Sequence, residues 1–418
     1  MQAEDIAECV TGYAVRLHAA IGASHHVASA LGAWLVLALA GPASTGAERV
    51  TLEEVLGCDV DSAATAAARL LSSPHPLVAS AAAIWTRDGQ PVSAQFSRWQ
   101  AELPSAVTRG AIPDQAGLDE WAREHTFGLI DKFPIPQSSE LYLVLATALA
   151  TKVSWQVPFE LAPAVELGAD SDWSSRVSRV LRTPHPQPGR PAGHSQFIAV
   201  TQEAGDVAVH VAAAQDGLLV VSVIADRTVR AGSVLAAAHR IGRACATGAQ
   251  VQRRGLADLP LGPGPAWLLR EEQSDAADAC TAVLPAWLAR SEHDLAAHPE
   301  LGFGAAKDAL APGGDPWVAR QAAMARYSRF GFEAAAVTAL AVALSFRHPA
   351  GRRRVADLRF AHPYAVVALT IDGNGTAPAT AVRHSEWHGL PVFSAWVAEP
   401  AEAEDESGQA GASQGKHV

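Results

Sequence analysis

The chain has 418 residues, 49% of them hydrophobic and 18% charged, which is ordinary for a globular protein with a large core. Its net charge of −11 and pI near 5.8 argue against nucleic acid as the main partner. The acidic start MQAEDIAECV is not a secretory leader, and the most apolar run, Val27 to Gly41, falls short of the roughly 20 residues that span a bilayer, so a cytoplasmic protein without a membrane partner is expected.

Taken in chain order, the first 80 residues read as mostly helical. DIAECVTGYAVRLHAAIG repeats apolar residues at three and four spacing, and the run around Trp34 reads as a buried core helix. In TLEEVLG, Thr51 is placed to cap a short helix with Glu54 three residues on. DSAATAAARLLSS predicts another helix, closed by the turn at Pro74–Pro76, and Val78 to Thr86 a strand. LDEWAREHTFGLIDKF is amphipathic, with Leu118, Trp121, Ala122 and His125 on one face and Gly128 at its end. LYLVLATALATKVSW reads as a fully buried central strand. Residues 160–197, rich in Pro, Gly, Asp and Ser, read as irregular. DVAVHVAAA and GLLVVSVIAD form a hairpin through Gln215–Gly217, followed by the helix VLAAAHRIGRACATG. PYAVVALTIDGNG and LPVFSAWVAEP are the last strands, and the acidic tail 401–418 has no face to bury and is expected to be disordered. Helices first and strands last make an α+β chain, a single domain over 1–400.

Motifs for chemistry are absent: no G-x-S-x-G, GxxxxGK[ST], H-E-x-x-H or strand-borne G-x-G-x-x-G occurs. His384 and His388 in HSEWH have helical metal-ligand spacing, but Gly389 and Pro391 favour a loop with solvated imidazoles. His25 and His26 read as a polar entry to the core helix, Arg352–Arg354 as a solvated loop, and Glu53–Glu54 and Asp119–Glu120 as acidic first turns. Cys9, Cys58, Cys245 and Cys280 are scattered, which indicates neither a zinc site nor a disulfide framework. Neither an enzyme, a metal nor a cofactor is indicated. The excess of arginine over lysine fits a GC-rich bacterial genome.

One segment carries the functional reading. GFEAAAVTALAVALSF, Gly331 to Phe346, holds a single charge, Glu333. As a strand it presents Phe332, Ala334, Ala336, Thr338, Leu340, Val342 and Leu344 on one face and small residues on the other; as a helix it is alanine-rich, and sequence physics leaves the two open. The stretch Gly331, Phe332, Glu333, Ala334, Ala335, Ala336, Val337, Thr338 resembles the proximal hinge of a serpin reactive-centre loop. Four further places agree in order: LDEWAREHTFGLI with the helix across the central sheet, LATALATKVSWQVPFE with a sheet strand ending at Trp155, and FAHPYAVVAL and VFSAWVAEP with the strands after the loop. SALGAWLVLALAG fits the buried second helix less closely.

The resemblance implies the serpin fold, with three β-sheets and about eight to nine helices. It implies a protease bait, held exposed in a metastable state, that inserts into the central sheet after cleavage. The partner implied is a serine or cysteine protease and the protein a monomer; a non-inhibitory binding module on the same fold is the alternative. The scissile region falls at Ser345, Phe346, Arg347 and His348, and the sheet-opening region at Thr147, Trp155 and Gln321. Phe332 replaces a small residue of the family pattern, Arg329 an acid and Thr147 an asparagine, and the stretch from Gly331 to Pro363 is long.

Overall fold

Four helices open the chain in the computed structural model, which describes residues 3–87, 94–134, 141–151, 153–185, 192–215, 217–311, 313, 317–332, 351–372 and 385–404. Helix α1 (Ala3–Ile21) is amphipathic and buries Ile6, Val10, Tyr13 and Leu17. After strand β1 (His26–Ala28), α2 (Ala30–Ala40) begins at Ser29, whose hydroxyl accepts from the Gly32 amide. Every residue of α2 is buried, as a helix apolar all round requires. Helix α3 (Gly46–Leu56) starts earlier than expected: Thr51 lies inside it, its hydroxyl donating to the Ala47 carbonyl, so it caps nothing, and Glu53 and Glu54 occupy the last turn, not the first. Helix α4 (Val60–Ser72) is capped by Asp59, which accepts from the Ser62 amide.

Strand β2 (Val78–Thr86), α5 (Ala94–Glu102), β3 (Val107–Ala111) and α6 (Gln115–Glu124) follow. Helix α6 buries Leu118, Trp121 and Ala122 but stops at His125; Gly128, at φ +73°, closes the next turn through its amide to the Arg123 carbonyl at 2.9 Å. The expected central strand is β4 (Leu143–Thr151) continued by β5 (Val153–Ser154). The stretch expected to be irregular instead holds β6 (Glu160–Pro163), β7 (Arg179–Arg182) and the start of β8 (His194–Thr201); the first two have four residues each, too short for an alternation to show. Then come β9 (Gly205–Ala213), β10 (Leu218–Ile224), α7 (Ala231–Thr247), β11 (Gly262–Pro263), β12 (Trp267–Gln273), β13 (Ala279–Leu284), β14 (Trp287–Asp294) and α8 (Phe303–Leu310). The chain closes with β15 (Arg320–Tyr327), β16 (Gly331–Phe332), β17 (Arg352–Arg359), β18 (Tyr364–Thr370) and β19 (Pro391–Val397).

Hydrogen bonding among the described residues divides these strands into four sheets where three were expected. Two are six-stranded, in the orders β1-β19-β18-β10-β9-β8 and β11-β12-β17-β13-β7-β6. The other two, β14-β15-β16-β5 and β3-β2-β4, share the continuous chain from β4 to β5, and β4 lies beside β15 with no ladder between them. Helix α7 covers one face of the first sheet; a Cβ at Gly242 would sit 2.7 Å from Leu369 of β18, so glycine sets how close the helix lies. Helix α2 packs against both β19 and β4 and joins that sheet to the split one.

Several sequence readings change here. Arg352–Arg354 begin β17 and are no free loop: Arg353 pairs with Glu272, Arg352 and Arg354 with Glu271, and Arg354 donates to the carbonyls of Leu256, Ala257 and Leu259. His388 is not solvated: its Nδ1 accepts from the Asp372 amide at 3.2 Å. His384 lies outside the described residues. The first tail residues are held, Ala401 bridging to Ala286, Glu402 pairing with Arg179 and Ala403 buried. Among the described residues no helix is long and apolar enough to cross a membrane.

Candidate functional site

The site is the seam between β4 and β15. At its upper end β16 is wedged between β15 and β5, antiparallel to both, with Phe332 opposite Tyr327 and Val153, and Gly331 opposite Ser154. The turn before it is clamped from the Trp155 side. The Trp155 amide donates to the Phe330 carbonyl at 2.9 Å and its indole to the Ser328 carbonyl at 3.0 Å. The Phe159 amide donates to the Arg329 carbonyl at 3.0 Å, and Arg329 Nε donates back to the Phe159 carbonyl at 3.1 Å. Arg329, where the family pattern has an acid, thus acts as a backbone clamp.

Phe332 is 3% exposed and meets Trp287 edge-on at 6.1 Å. Trp287 stacks on Tyr327 at 5.9 Å, and Tyr327 meets Trp155 at 5.0 Å. Phe159 extends the cluster to His194 and His210, whose rings stack at 5.3 Å. Such aromatic pairs add about 0.5–1.5 kcal/mol each beyond the area they bury. The bulk of Phe332 therefore has a built pocket.

Further down the seam, both edges hold the start of α2. From β4, the Thr147 hydroxyl donates to the Gly32 carbonyl at 3.0 Å. From β15, Gln321 Oε1 accepts from the Ser29 amide at 2.9 Å and its Nε2 donates to the Ser29 carbonyl at 2.8 Å. A Cβ at Gly32 would meet Thr147 Oγ1 at 3.1 Å and Leu149 Cδ1 at 3.2 Å, so glycine permits this approach. Thr147 and Gln321 are brought together around one helix end; Trp155 sits apart, with Gly331 and Phe332. Glu333, Ala334, Ala335, Ala336, Val337 and Thr338, and Ser345, Phe346, Arg347 and His348, lie outside the described residues.

Beneath the Ser29 contact lies a cluster the sequence did not announce. His26 is buried in β1, not a polar entry, and joins His18, His239 and His293. The Ser24 carbonyl, 2.8 Å from His26 Nδ1, can only accept, so His26 presents Nε2 as an acceptor. His18 Nδ1 then donates to it at 2.8 Å, and His18 Nε2 accepts from the Ser394 hydroxyl at 2.6 Å. His293 Nε2 donates to the Val27 carbonyl at 2.8 Å. This relay is complete only while the rings are neutral. Burial holds the pKa of His18 well below the usual histidine value, with repulsion from His239, His26 and His293 added, and lowers His26 and His239 to about 4. No group of three or more ligating side chains suited to a metal ion occurs among the described residues.

No protein-family model matches the sequence, and no curated protein matches it significantly. Solved structures do match. A thermophilic serpin, tengpin, in its native state aligns at a TM-score of 0.63 and 13% identity over 96% of this chain and 95% of its own. Human kallistatin gives 0.62 and 14% identity over 96% and 99%. Human thyroxine-binding globulin, complexed with its hormone, gives 0.60 and 13% identity over 96% and 98%. The chain has the serpin fold, an α+β architecture spanning nearly its whole length.

Proposed function

We propose that this protein inhibits proteases by the serpin mechanism: a serine or cysteine protease cleaves the segment 333–350, and the part that begins at Gly331 enters the seam between β4 and β15 as a new strand. The observation that carries this reading is β16, two residues of strand already paired on both sides at the mouth of a seam whose edges share no ladder among the described residues. The far end of the segment is anchored by the arginine pairs of β17, so both ends are fixed. In this reading the protein is a monomeric trap and no enzyme, since the protease supplies the nucleophile. Incubation with trypsin-like and chymotrypsin-like proteases is expected to give a complex that survives boiling in detergent. Clean cleavage with no complex from any of them overturns it.

A cavity favours a second reading, a binding protein that does not inhibit. A space of about 440 Å³ between α7 and strands β8–β10 is lined by Phe197, Val211, Leu219, Cys245 and Val251, with the Arg253 guanidinium 4.0 Å above the Phe197 ring. An apolar hollow with one cation suits an aromatic or aliphatic carboxylate. Thyroxine-binding globulin, which carries a small hormone, shares the fold. Binding of such a carboxylate, measured by calorimetry together with failure to trap any protease, supports this reading.

A further inference from the structure

Helix α1 and the turn joining α3 to α4 meet across a cleft of about 580 Å³ whose lining includes Cys9, Cys58, Gly57, Arg16 and Asp59. Cys9 lies on α1, and Cys58 follows the glycine that ends α3. The two thiols are neighbours that perturb each other's ionisation, and Cys58 Sγ lies 3.8 Å from the Leu56 carbonyl oxygen. Gly57 lies against Cys9: a Cβ built on it would be in ordinary contact, 3.7 Å from both Cα and Sγ of Cys9, and its left-handed φ of +75° is what calls for glycine there. Cys9 Sγ is also 3.5 Å from the Gly57 carbonyl oxygen. Cys9 Sγ thus lies against the residue next to Cys58, and both thiols line one cleft, the neighbourhood a disulfide needs. Both thiols are free and half-buried, so a small oxidant reaches them.

We propose that Cys9 and Cys58 are a reversible disulfide site, closed by exchange with a low-molecular-weight disulfide, which staples α1 to the α3–α4 turn. Their environments divide the roles. The neighbouring Cys58 thiol lowers the Cys9 pKa, outweighing burial and the Glu8 and Asp5 carboxylates. The neighbouring Cys9, burial, Asp59 and Glu53 keep Cys58 protonated. Cys9 is thus the attacking thiolate. It displaces one thiolate from the small disulfide and forms a mixed disulfide; the displaced thiolate takes up the proton Cys9 lost. Cys58 then attacks Cys9 Sγ, the second small thiol leaves with the Cys58 proton, and two protein thiols and one small disulfide have become one protein disulfide and two small thiols. Cys245 and Cys280 are pushed up by burial, Cys280 to about 11, and do not compete. Since α1 packs on α2, whose start holds both edges of the seam, the staple tightens the layer on which the seam rests. This inference is independent of protease inhibition.

The test is treatment of the whole protein with excess oxidised glutathione. Titratable thiols are expected to fall from the four free cysteines to half that number. The mass should drop by about 2 Da, a cross-linked peptide containing Cys9 and Cys58 should appear, and the thermal midpoint should rise by about 5 °C and return with dithiothreitol. Cys58→Ser is expected to stop at a glutathione adduct on Cys9, while the double variant Cys9→Ser/Cys58→Ser leaves the midpoint insensitive to oxidant. An unchanged thiol count, a wild-type protein that halts at the mixed disulfide, or closure through Cys245 or Cys280 overturns the proposal.

Discussion

Burial decides how the buried histidines behave. His26, His239, His194 and His362 are lowered to about 4, and His18 and His210 lie well below the usual value, all chiefly by desolvation. In the unfolded chain each returns to about 6.5. Between those values the unfolded state binds protons that the folded state refuses, so the sign is fixed: stability is full above about pH 6.5 and falls as pH drops towards about 4, by about 1.4 kcal/mol per pH unit for each such histidine. The thermal midpoint is therefore expected to drop steeply between pH 6.5 and 4.5, and less steeply in His26→Gln, which keeps a polar group at that place; a midpoint flat across this range contradicts the neutral relay. None of this was legible in SHH, because one sequence does not show that rings from α1, β14 and α7 converge on β1. The same limit hid Cys9 beside Cys58, and the carboxylates that turn Arg352–Arg354 from a loop into a strand. Local causes were readable only in part: Gly128, read as the end of α6, closes the turn beyond it through the Arg123 carbonyl, while α4 is capped by Asp59, which the sequence reading did not single out.

At the scale of elements, long apolar runs were readable and short polar ones were not. Helix α2, strand β4 and the pair β9–β10 declare themselves by length and hydrophobicity; β6 and β7 become strands only because they pair with each other and with β13. The run after Gly331 was open between helix and strand, and its first two residues are strand. Continuing the antiparallel register of Phe332 with Val153 and Tyr327 sets Ala336 opposite Leu149 and Ala323, and Thr338 opposite Thr147 and Gln321. Leu149 and Ala323 are buried and face α2, so an inserted Ala336 would share that face. An arginine there would bury an unpaired charge, which costs several kcal/mol. Ala336→Arg is expected to be cleaved normally but to lose stable complexes about tenfold or more, whereas Ala335→Arg, one residue out of phase beside half-buried Met324, loses far less. Equal loss at the two positions, seen on denaturing gels, contradicts this register.

For the molecule as a whole, the proposed mechanism makes the seam between β4 and β15, which share no ladder among the described residues, a store of stability. A strand continuing from Phe332 down the seam has β4 on one side and β15 on the other. Each ladder bond gained is worth roughly 0.5–1.5 kcal/mol, and burial adds about 25 cal/mol per Å², so insertion releases on the order of 10 kcal/mol. A single cut in the loop is therefore expected to raise the thermal midpoint by about 10 °C or more, and an unchanged or lower midpoint contradicts insertion. Where that cut falls follows from two fixed ends. The strand must run long enough to fill the seam, and β17 resumes at Arg352, where cleavage would break the arginine pairs that anchor it. On the proposed mechanism, serpin spacing would set the bond at Ser345–Phe346, with one or two residues of slack to Phe346–Arg347 or Arg347–His348. Phenylalanine fills a chymotrypsin-type pocket and arginine a trypsin-type one, while serine is a poor handle for either. On the same proposal Arg347, charged and hydrophilic, would be the better determinant, so a trypsin-like protease is the expected target. Mass spectrometry of the C-terminal fragment released by a productive protease reads the bond directly. A fragment beginning at Phe346, Arg347 or His348 agrees with this spacing; one beginning at Arg353 or beyond places the cut inside β17 and overturns it.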